Sequence, residues 1–125
     1  MIVPHPPLFV FADDLTSFDS VEAMLRCVEP VDMTDALRCF DAQGREVVMR
    51  ASGVQGHGRL VGGGRLEIVD VRSSDELAST FAQFLRDEAA NLKDHLGGRC
   101  TSGADVQTAP LPLLVEIVHR WARTA

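Results

Sequence analysis

The tightest local constraint in this chain is the tetrapeptide Asp41-Ala42-Gln43-Gly44. Asp at the first position and Gly at the fourth is a type I turn pattern, and Gly44 can take the positive φ of a hairpin bulge. The flanking runs, ALRCF and REVVMRA, are strand-like. So short a link brings two strands together antiparallel. By alternation, Leu37 and Cys39 share one face, with Arg38 and Phe40 on the other. Val47, Met49 and Ala51 oppose Glu46, Val48 and Arg50, so one strand is expected to be covered on both sides.

The other elements follow from similar signals. Met1 to Pro7 is a proline-rich, extended lead-in. Leu8-Phe9-Val10-Phe11-Ala12 is a continuous apolar run of strand length, closed by a turn at Asp13-Asp14. Asp19 and Glu22 have capping-box spacing, with Asp19 in the N-cap role. Val21, Met24, Leu25 and Val28 then repeat at helical spacing until Pro30 stops the helix. Six of the ten glycines fall between Ser52 and Gly64, the mark of a surface loop. Arg65 to Val71 reads as a strand, paired with Arg59-Leu60-Val61 across Gly62-Gly63-Gly64. Ser73 to Glu76 is a second capping box. It opens a long helix whose stripe is Leu77, Phe81, Phe84, Leu85, Glu88 and Leu92, ended by Gly97-Gly98. Pro110 and Pro112 start a last helix, with Leu114, Val115, Val118, Trp121 and Ala122 on its buried face. The expectation is one α+β domain over residues 1–125, a small, mostly antiparallel sheet of four to five strands with about three helices packed on one face.

Composition excludes several classes. At 125 residues, 46% hydrophobic and 24% charged, the chain is in the globular range. Its longest apolar runs fall far short of the ~20 residues that span a bilayer. The N-terminus lacks a basic n-region and does not read as a secretory signal, so a cytoplasmic location is expected. Three cysteines, Cys27, Cys39 and Cys100, are odd in number and widely spaced, which speaks against a disulfide framework or a CxxC zinc site. A net charge of −6 disfavours nucleic acid and anionic membranes as partners.

No motif specifies a reaction. The triple glycine lacks the GK[ST] or GxGxxG context of a phosphate cradle. Asp13, Asp14 and Asp19 match no cation-loop spacing. His57, between two glycines, is the histidine best placed to be accessible, yet no GxSxG elbow or triad spacing accompanies it. Catalytic, cofactor and metal residues are accordingly expected to be none.

Charge distribution gives the functional lead. Between Asp13 and Asp41 lie eight acids (Asp13, Asp14, Asp19, Glu22, Glu29, Asp32, Asp35 and Asp41) against Arg26 and Arg38 alone. The remainder holds ten of each sign, so the whole −6 resides in this quarter. Such a potential steers a cationic partner. The run DLTSFDSVEAMLRCVEPVDMTDALRCFDAQGREV resembles the front half of small bacterial proteins, some of which look like toxin-immunity proteins. That resemblance implies a non-enzymatic, cytoplasmic protein that neutralises a toxin, often a cationic nuclease. Asp13, Asp14, Asp19, Glu22, Glu29, Asp32 and Asp35 are the expected contacts for a cationic toxin domain. Two alternatives stand beside it: a secretion-chaperone-like dimer, and a small enzyme or ligand binder using His57 and the loop from Gly53 to Gly64.

Overall fold

A computed structural model describes residues 3–12, 14–28, 37–52, 65–96 and 106–124, with the side chains of 51, 52, 65, 95, 96 and 124 excepted. Its strands are β1 (Leu8–Phe11), β2 (Leu15–Phe18), β3 (Arg38–Phe40), β4 (Glu46–Ser52) and β5 (Arg65–Arg72). The helices are α1 (Val21–Cys27), α2 (Asp75–Leu96) and α3 (Leu111–Thr124). The five strands form one sheet in the order β2-β1-β3-β4-β5, antiparallel at every pairing. The α+β architecture is the one expected.

β1 is an interior strand and explains how the layers divide. Its apolar residues alternate between faces, so both faces must be covered. Phe9 and Phe11 point to the side of α2 and α3, where they join Phe40, Phe81 and Phe84. Phe40 and Phe81 stack at 5.1 Å between centroids, and Phe9 and Phe81 meet tilted at 5.4 Å. Leu8 and Val10 point the other way, into a second cluster with Met24 and Val28 of the α1 region and with Cys39, Val47, Met49 and Leu66. The expected single helical face therefore holds for α2 and α3, while α1 lies on the opposite side. Seven residues of α1 suffice there, because only Met24 is fully inserted.

Three local signals resolve differently from expectation. Leu15–Phe18 is a strand, paired with β1 from Leu8↔Phe18 to Phe11↔Leu15, although Thr16 and Ser17 gave it little apolar pattern. Ser20, not Asp19, caps α1, accepting from the Ala23 N–H at 3.1 Å. Ser74 likewise caps α2 through the Leu77 N–H at 3.0 Å. In β5 the register slips opposite Val48/Met49, so that Val71 pairs with Val47 and Ile68 with Met49. A bulge at Val69-Asp70 thereby keeps Leu66, Ile68 and Val71 on one face despite their uneven spacing. The expected pairing partner, Arg59-Leu60-Val61, lies outside the described residues.

The hairpin turn forms as read, with Gly44 at φ 80 and its N–H bonded to the Asp41 carbonyl at 3.1 Å. What the turn pattern does not convey is that Asp41 is wholly buried. Its carboxylate accepts from the backbone N–H groups of His5, Gln43 and Arg45 at 3.1, 3.0 and 3.0 Å. It also accepts from Arg45 Nε at 2.8 Å and Nη2 at 2.7 Å. Removing one partner of a buried, hydrogen-bonded pair leaves the other charge and several donors unsatisfied. Asp41→Ala should therefore destabilise the fold by about 3–5 kcal/mol, measurable as a loss of unfolding free energy in urea.

Candidate functional site

Of the seven carboxylates expected to meet a partner, Asp14, Asp19 and Glu22 are among the described residues, and all three are exposed. Asp13, Glu29, Asp32 and Asp35 lie outside them, as do His57, Cys100 and the glycine-rich loop. Glu22, in the first turn of α1, stands 4.0 Å from Arg26, a distance at which an exposed pair contributes little. Asp19 is committed elsewhere. Freed from the capping role by Ser20, it accepts from Arg123 Nη1 at 2.8 and 2.7 Å and from His119 Nε2 at 2.9 Å.

His119 also meets Ser17 Oγ at 2.8 Å through Nδ1. A carboxylate only accepts, so Nε2 carries the proton toward Asp19, and in the neutral ring Nδ1 accepts from the Ser17 hydroxyl. Hydroxyl, imidazole and carboxylate are thus in line, the order of an acid–base relay. Arg123 sits on that carboxylate, however, and Ser17 lies on the sheet face beneath α3, outside the walls of the neighbouring cleft. The arrangement latches β2 to the last turns of α3. Sequence reading passed over His119 because its partners lie about one hundred positions away. The usable signal was the alternation in Ser17-Phe18-Asp19, which sends Ser17 and Asp19 to the same side.

Asp14 is brought to α2. Glu88, the charged interruption of the α2 stripe, is half-buried, and its carboxyl is raised above the usual range. Burial is the main cause, opposed by a hydrogen bond to Asn91 and reinforced by the charges of Asp14 and Asp87. Beside Asp14 is a pocket of about 260 Å³ lined by Phe11, Ala12, Arg38, Phe84, Asp87 and Glu88. The Arg38 guanidinium lies 5.0 Å from the centroid of Phe40 and 5.7 Å from that of Phe84. It is paired with Glu46 at 2.8 Å.

A concavity of about 1010 Å³ forms a cleft between α3 and the His5–Pro7 segment with the hairpin tip. Pro6, Pro7 and Ala42 form one wall, and Leu111 and Val115 of α3 the other. His119, Arg120 and Arg123 occupy the end of the α3 wall.

Among the described residues no group of three His, Cys, Asp or Glu is placed to hold a metal ion. Cys27 is exposed and Cys39 buried. Burial, then the charges of Asp41 and Glu46, push the Cys39 thiol up to about 12, so it stays protonated against Met24 Sδ at 3.3 Å. No helix among the described residues is long and apolar enough to cross a membrane. No protein-family model, curated protein or solved structure matches the chain.

The latch makes a pH prediction. The His119 hydrogen bond, aided by the Arg123 charge, holds Asp19 below its ordinary 3.8. A lowered folded value means stability that is present above 3.8 and lost as pH falls through the folded value. Asp19→Asn should flatten the acid limb of the stability curve, seen by comparing urea unfolding at about pH 5 and about pH 3.

Proposed function

We propose that this chain is a non-enzymatic binding domain that neutralises a bacterial toxin by presenting carboxylates to a cationic surface. The observation that carries the reading is the aromatic pocket between β1 and α2. Phe11 and Phe84 line it with aromatic surface, and Asp87 and Glu88, with Asp14 close by, add negative charge, while Arg38, also in the lining, is paired with Glu46. That combination suits the side chain of an arginine or lysine, whose stem packs on apolar surface while its head meets carboxylates. The chain already places a guanidinium of its own, Arg38, against one of these rings, Phe84, and against Phe40. The overall −6 charge favours fast, salt-sensitive encounter with a basic partner.

The acidic stretch contributes to this surface through Asp14, and Glu22 adds an exposed carboxylate on α1. A partner with a basic cleft, such as a nuclease domain, would find its substrate-binding charge occupied. The test is co-expression with a toxin-like protein encoded beside this chain in the source genome. The wild-type chain should co-purify with that protein and restore growth. Asp14→Lys, Asp87→Lys and Glu88→Lys together should slow association by about tenfold or more at low salt. Absence of any complex, or an association rate untouched by the triple reversal, would sink the proposal.

A further inference from the structure

The cleft beside α3 has a basic end in a chain that is acidic as a whole. Its volume of about 1010 Å³ is at the upper end of small-molecule sites. Along α3 its lining changes from Leu111 and Val115 to His119, Arg120 and Arg123, and His5 adds an imidazole from the facing segment. Residues 111 to 123 span about 18 Å of helix, so the apolar and basic ends are well separated. The lining holds two arginines and two histidines against one carboxylate, Glu116, with Asp19 just outside it on His119 and Arg123, in a chain whose net charge is −6.

The basic end retains hydrogen-bonding capacity. Arg123 spends Nη1 on both oxygens of Asp19, while its Nε and Nη2 donors have no hydrogen-bond partner among the described residues. Glu116 is occupied with Arg120 across 3.4 Å on an exposed surface. A guanidinium fixed by one nitrogen, with its other donors unmatched among the described residues, is a preoriented receiver for an anion. We propose that the cleft binds an elongated apolar molecule bearing one anionic group, its body between Pro6-Pro7 and Leu111/Val115 and its anion at Arg123. The site is separate from the carboxylate-ringed pocket between β1 and α2 and stands without the toxin-binding role.

Three ten-carbon probes of different charge test it, each kept monomeric: decanoate, decan-1-ol and decyltrimethylammonium. Titrations followed by amide chemical shifts should show decanoate perturbing Ala42, Gln43 and the α3 residues. It should bind at least tenfold tighter than the ammonium probe, with the alcohol between them. Arg123→Gln should weaken decanoate by about tenfold, the worth of a charge-assisted hydrogen bond. Because Arg123→Gln also loosens the Asp19 latch, Gln43→Trp provides an independent variant. It fills the cleft from an exposed turn position and should block all three probes. Equal affinity for the three probes, shifts confined to other surfaces, binding unchanged in both variants, or no binding of decanoate would each overturn the proposal.

Discussion

The buried Asp41 carboxylate is the interaction on which the arrangement of the functional surfaces depends. It gathers the N-terminal segment through His5, the turn through Gln43 and Arg45, and the guanidinium that reaches on to the Val3 carbonyl at 3.2 Å. The Ala42 N–H adds a bond to the His5 carbonyl at 2.9 Å. These groups carry one wall of the large cleft. Gly44 then sets the distance to the opposite wall, since a Cβ there would meet Ala78 Cα and Leu111 Cδ2 at 3.2 Å. A turn whose residues signal chain reversal thus also positions one wall of the cleft.

Much of the fold was legible because it rests on short-range chemistry. The DAQG turn, the apolar run of β1, and the α2 and α3 stripes each appear as read, since caps, turns and periodicity act within a few residues. β2 was illegible because Thr16 and Ser17 make a poor strand alone. They become one through the ladder with β1 and through the Ser17 bond to His119. The side on which α1 packs was not readable either, since it follows from β1 needing cover on both faces. In the SFDS segment that carried the immunity-type likeness, each residue has a structural task. Ser17 and Asp19 hold α3, Phe18 packs toward α1, and Ser20 caps α1.

The charge asymmetry of Asp13–Asp41 changes character once folded. Asp41 is neutralised by Arg45 and Asp19 is held by Arg123, both bases drawn from outside the stretch. Counting charge along a chain therefore overstates the field that a partner meets. What folding adds is concentration: Asp14 joins Asp87 and Glu88 from a helix more than seventy positions away, closely enough to raise Glu88. No window of sequence contains that group.

The bulge in β5 has a consequence beyond packing. Among the described residues β5 is an outer strand of the sheet, and an outer strand carries backbone groups that a neighbouring strand can pair with. Crowding an extra residue at Val69-Asp70 and studding the strand with Glu67, Asp70 and Arg72 makes it a poor template for a foreign strand. Copies of this acidic chain that meet at high concentration are then less apt to fuse their sheets into aggregates.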